Sequence, residues 1–196
     1  MSIAKSELSA LRHVALLMNR GEVSWCVCGG WAIDLWLNEL TRPHKDIDIA
    51  VRRQDQTRIQ THLVVDGWQL DIAHRGELTS WKLGEVLKAP YHTVWCRRDN
   101  QFFEILLNEW DTERFCYRRD PLVWLPNAVA IKQSATDLPV LAPEFVLLYK
   151  SSEPETPENQ SDFVAAYPLL EPSARSWLRE AITKERQNHP WLVQFD

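Results

Sequence analysis

The sequence has no excess of positive charge. Its 22 Lys and Arg stand against 27 Asp and Glu, for a formal net charge of −5. Binding to duplex nucleic acid needs a basic patch, so the balance argues against a nucleic-acid partner. An acidic mouth would instead draw in a cationic small molecule. No apolar run approaches the ~20 residues that cross a bilayer, and the N-terminus has no signal pattern. These absences lead to the expectation of a cytoplasmic protein with no membrane partner. Zinc-type spacings are missing as well. Cys26, Cys28, Cys96 and Cys116 form no C-x-x-C and no His–Cys pairing of that kind. Cys26 and Cys28 share one face of one strand, which reads as small apolar packing. No internal repeat is present.

What is present suffices for a core. Hydrophobic residues make up 45% of the 196, with ten tryptophans. That length suits one domain with a small helical annex, expected as residues 1–140 and 141–196. The chain is organised around residues 25–51, WCVCGGWAIDLWLNELTRPHKDIDIAV. An apolar strand meets Gly29-Gly30, where the chain must turn sharply. A helix from Trp31 to Leu37 and a loop at Thr41-Arg42-Pro43 follow. The stretch 46–51 then reads as a strand whose alternation sends Asp46 and Asp48 to one face and Ile47 and Ile49 to the other. Two such carboxylates repel unless something positive lies between them. A divalent cation answers that, and hard oxygen ligands favour magnesium.

Elsewhere the patterning alternates helices with strands, an α/β (α+β) architecture with a mixed twisted sheet flanked by helices. Helices are expected at 6–19, capped by Ser6 and ended by Gly21, and at 54–65. Strands are expected at 68–74, at 91–97 and, across an Asp99-Asn100 turn, at 102–108. Glu104 is an acid in an otherwise apolar strand, costly to bury without a partner. Residues 114–119 and 122–125 are strand-like, and 128–140 reads as a hairpin. Arg97, Arg98, Arg118 and Arg119 read as solvated hairpin ends. Pro143 opens a helix that ends at Lys150. The acidic stretch 151–160 reads as a loop, Ser161 as the cap of a short helix with Asp162 in its first turn, and Ser173 as the cap of the last helix.

GGWAIDLWL followed by TRPHKDIDI resembles the signature of the nucleotidyltransferase superfamily that includes DNA polymerase β, in its aminoglycoside adenylyltransferase-like branch. The likeness continues through HTVWCRRD, FFEILLNE, LAPEFVLLYK and HPWL, over nearly the whole chain. It implies a minimal nucleotidyltransferase fold, ATP as donor and two magnesium ions. It implies Asp46, Asp48 and Glu104 as catalytic and metal-binding carboxylates, though the family often has aspartate where Glu104 stands. It implies Gly29, Gly30, Arg42 and Lys150 as nucleotide-binding residues, the glycines letting backbone N–H groups approach the phosphates. The family also has basic residues before a Lys-Asp pair near residue 160, of which only Asp162 is kept. His44 and Asp34 read as loop anchors rather than ligands. The expected function is metal-dependent transfer of AMP from ATP to a hydroxyl of a small molecule, with an aminoglycoside as candidate acceptor and antibiotic resistance as its role. The alternatives are a protein or tRNA acceptor, or a non-catalytic nucleotide-binding module.

Overall fold

A computed structural model describes residues 3–4 and 8–194. The elements run α1 (Ser9–Arg20), β1 (Trp25–Cys28), α2 (Gly29–Leu37), β2 (Asp48–Arg52), α3 (Gln56–Val65), β3 (Gln69–His74), β4 (Glu77–Ser80), β5 (Thr93–Arg98) and β6 (Gln101–Asn108). They continue with β7 (Arg114–Tyr117), β8 (Asp120–Pro126), α4 (Asn127–Ala130), β9 (Ile131–Gln133), β10 (Pro139–Leu141), α5 (Pro143–Lys150), α6 (Pro157–Ala166) and α7 (Pro172–Glu185). The main sheet has the order β4-β3-β5-β6-β2-β1-β10-β9. It is mixed, with β2 parallel to β6 and β1 parallel to β10. The β7–β8 hairpin forms a second, two-stranded sheet.

Register explains why the sheet is two-sided. Val27, Ile49, Ile105, Val94 and Ile72 are directly paired from strand to strand. All are buried and belong to one apolar cluster that runs from Ile3 to Trp191. Side chains alternate along a strand, so the next row faces the other way. That row reads Cys28, Asp48, Glu104, Trp95, Asp71. Each fully buried aliphatic contributes roughly 1.5–3 kcal/mol. The apolar row therefore outweighs the repulsion in the acidic one and fixes the register.

The helices close the remaining sides. α1 buries Leu11, Val14, Ala15, Leu17 and Met18 and meets α3, where the His62 ring lies 3.0 Å from the Leu17 carbonyl. The expected cap Ser6 lies outside the described residues. On α3, Gln56 and Gln60 clamp the loop before β5. The Leu87 N–H donates to Gln56 Oε1 at 2.6 Å and the Gly84 N–H to Gln60 Oε1 at 2.9 Å. No helix among the described residues is long and apolar enough to cross a membrane.

Several boundaries differ from the sequence reading, among them the expected 128–140 hairpin, whose first residues belong to α4. Asp46 precedes β2 and is exposed in the loop, although Ile47 still accepts a hydrogen bond from the Glu104 N–H at 2.8 Å. The last four residues of the acidic stretch, 157–160, are helix. Pro157 opens α6 because its fixed φ suits the first helical position, and Ser161 lies inside that helix rather than capping it. Pro172 likewise opens α7 in place of a Ser173 cap.

Candidate active site

β2 and β6 carry the acids. Asp48 and Glu104 are register partners on adjacent parallel strands, which brings their Cα atoms about 4.8 Å apart. Burial raises the Asp48 pKa to about 6, and the Asp46 charge adds to the effect. Burial raises Glu104 to about 7, reinforced by Asp48 and then Asp46. Trp95, opposite Glu104 on β5, pulls the other way. Among the described residues none of the three acids has an ion-pair partner. They form a focus of negative charge, which Lys150, His44 and Arg42 offset in part at Asp48.

The glycine bend is shaped by this focus. Gly29 has φ +63°, and a Cβ there would stand 2.0 Å from Asp48 Oδ2. A Cβ on Gly30 would stand 2.1 Å from Arg42 Nη2 and 2.8 Å from the His44 ring. The glycines are therefore the space into which an acid and a cation fold. They also form the first turn of α2 instead of preceding it, so their N–H groups belong to its positive end.

The loop after α2 is pinned from below. Asp34, fully buried, accepts hydrogen bonds from the Thr41 N–H at 3.1 Å and the Thr41 hydroxyl at 2.5 Å. His44 Nε2 lies 2.6 Å from the same carboxylate, and the His44 ring packs on Trp31 at 4.3 Å. Asp34 and His44 thus hold the loop that carries Arg42 and Asp46.

Arg42 and Lys150 converge, and what they converge on is Asp162. Arg42 Nε and Nη2 donate to its two oxygens at 2.7 and 2.9 Å, and Lys150 Nζ lies 2.8 Å away. Burial alone would raise the Asp162 pKa. Arg42 and Lys150 overcome it and hold the carboxylate below its usual range. Asp162 is therefore not a first-turn helix acid. It is a fully buried link between α6, α5 and the α2–β2 loop. Lys150 also donates to Asn159 Oδ1 at 3.0 Å.

A cleft of about 280 Å³ opens beside Asp48, with Gly29, Arg118, Tyr149, Lys150 and Asn159 among its walls. Sequence reasoning missed Asp162, Trp95 and Arg118. Trp95 was readable by arithmetic, because the Asp99-Asn100 turn that pairs Arg98 with Gln101 also pairs Trp95 with Glu104. Asp162 showed only as the remnant of the family's Lys-Asp pair, and Arg118 left no local signal.

The donor set suits magnesium: hard carboxylate oxygens, unpaired and crowded. As the side chains stand, no trio of His, Cys, Asp or Glu among the described residues closes around an ion. A shared ion needs the exposed Asp46 side chain to turn toward the other two.

No individually curated protein is significantly similar in sequence. Solved structures with the same fold include antibiotic-resistance factor ANT(2'')-Ia in solution, with a TM-score of 0.62 and 14% identity over 98% of this chain and 97% of that one. ANT(2'')-Ia in complex with adenylyl-2''-tobramycin gives 0.63 and 13%, over 92% and 99%. The lincosamide adenylyltransferase LnuA with lincomycin bound gives 0.60 and 17%, over 87% and 100%. At these identities the likeness is one of fold. The family model for aminoglycoside-2''-adenylyltransferase matches residues 10–123, more than half of the chain and the whole span from α1 through the acid-bearing strands. The chain belongs to the aminoglycoside-2''-adenylyltransferase family and is a nucleotidyltransferase.

Proposed function

We propose that the protein transfers the adenylyl group of ATP, with magnesium, to a hydroxyl of an aminoglycoside. The observation that carries this reading is the in-register pair Asp48–Glu104 beside the Gly29–Gly30 bend, with Asp46 two residues upstream. The acceptor oxygen attacks the α-phosphorus in line, the bond to the β-phosphate oxygen breaks, and pyrophosphate leaves. Asp46, Asp48 and Glu104 would hold the metal ions, which when bound supply neutralisation of the charge that develops on the phosphates.

Glu104 is the residue placed to take the hydroxyl proton. It is the register partner of Asp48 on the adjacent strand, and a carboxylate is a competent general base. The Gly29 and Gly30 N–H groups at the start of α2 offer the phosphates donors that no side chain screens. Arg42 and Lys150 stand at the same site but share Asp162, so the positive charge they present is partly spent. The formal charge of −5 favours a polycationic acceptor.

The test is a panel of aminoglycosides and lincosamides with α-labelled ATP and magnesium. Label on an aminoglycoside with release of pyrophosphate is expected. Label on lincomycin alone would reassign the acceptor to the class bound by LnuA. No pyrophosphate release with any acceptor would overturn the reading.

A further inference from the structure

The cations around the cleft differ in one respect. Arg42 and Lys150 are bound to Asp162, and Arg53 is bound to Glu109. Arg119 donates to Tyr117 Oη at 2.9 Å and to Ser152 Oγ at 3.1 Å. Neither Arg119 nor Arg118 meets a carboxylate among the described residues, and of the two only Arg118 makes no side-chain hydrogen bond there either. Its guanidinium lies over the Tyr149 ring, 5.3 Å from the centroid, and lines the cleft with Asp48 and Gly29.

The position is built rather than accidental. Arg118 follows a register shift at Cys116/Tyr117 and lies between β7 and β8. Its backbone N–H donates to Tyr149 Oη at 3.2 Å, and Tyr149 Oη donates to Asn108 Oδ1 at 2.8 Å. Asn108 is on β6, four residues beyond Glu104 and on the same face. One hydrogen-bonded path thus fixes the turn against α5 and the strand that carries Glu104. Burial and then Arg119 disfavour the charged form of Arg118, with Tyr149 acting against them. The guanidinium shares the cleft wall with Cys28 and Gly29 of the bend.

A half-buried, unpaired guanidinium is costly, and a guanidinium is the side chain best matched to phosphate oxygens. We propose that Arg118 is the cation that binds the pyrophosphate portion of the nucleotide, held ready by the Tyr149–Asn108 path. This rests on the nucleotidyl-transfer reading and adds to it a residue from the β7–β8 turn.

The experiment is calorimetry with magnesium and three probes: a non-hydrolysable ATP analogue, inorganic pyrophosphate and AMP. They are titrated into the wild type, Arg118→Gln and Arg118→Lys. R118Q is expected to weaken the analogue and pyrophosphate by about tenfold or more, to leave AMP within about twofold, and R118K to recover part of the loss. R118Q binding all three like wild type overturns the proposal alone. So does R118Q weakening AMP as much as pyrophosphate, which would make Arg118 a general wall of the cleft. Wild type binding neither the analogue nor pyrophosphate overturns this proposal and the nucleotidyl-transfer reading together.

Discussion

Asp48 concentrates the conflict between folding and function. Its folded-state pKa of about 6 lies above the ordinary 3.8, so the folded chain holds this proton more tightly than the unfolded chain does. Raising the pH from about 4 to about 6 therefore costs stability, and above that window the full cost is present. Two pKa units correspond to roughly 3 kcal/mol. In chelator, Asp48→Asn should melt higher than wild type at pH 8, with the gap closing toward pH 4, while adenylyl transfer is lost. Gly29 lies under the same carboxylate. Gly29→Ala adds positive-φ strain of about 1–2 kcal/mol and drives a Cβ into Asp48. It should reduce kcat/KM by about a hundredfold or more, as the transfer assay would show. Gly76→Ala has a similar φ of +81° but open space around it. It should cost similar strain and leave kcat/KM unchanged.

At the scale of elements, Asp162 is the buried carboxylate that ties α6 to the catalytic half. Removing Asp162 leaves Arg42 and Lys150 facing each other in a buried site, and breaking a buried pair in this way costs about 3–5 kcal/mol. Asp162→Ala should lower the urea midpoint accordingly. Glu158→Ala, on the same helix, removes the exposed contact to Lys45 at 3.4 Å. With the loss of a first-turn helix acid included, it should lower the midpoint far less than Asp162→Ala does. The strands and the bend were legible because they rest on short-range rules: period-two alternation, Gly-Gly after an apolar strand, a two-residue turn. The Asp162 cluster was not, because its members are 120 residues apart in the case of Arg42 and none announces the others. The start of α6 was misread for a local reason. An acidic run with two prolines resembles a linker, yet Pro157 at the first helical position and Glu158 in the first turn are also what a helix N-terminus favours. Arg118 was read as solvated because nothing in the sequence places the β7–β8 turn over Tyr149.

The whole molecule is one apolar cluster with Asp48 and Glu104 side by side in the opposite row of its sheet. That row makes the free protein less stable than its core would allow, and a magnesium nucleotide should return the difference. Binding to the folded chain alone stabilises it by mass action, so the melting temperature should rise with ATP and magnesium together and hardly with ATP alone. The most direct test of the account is calorimetric titration of a non-hydrolysable ATP analogue into wild type and Asp48→Asn, with and without magnesium. The account predicts binding by wild type that requires magnesium and is lost in D48N. Equal affinity with and without magnesium, or a D48N protein that binds as tightly as wild type, would contradict it.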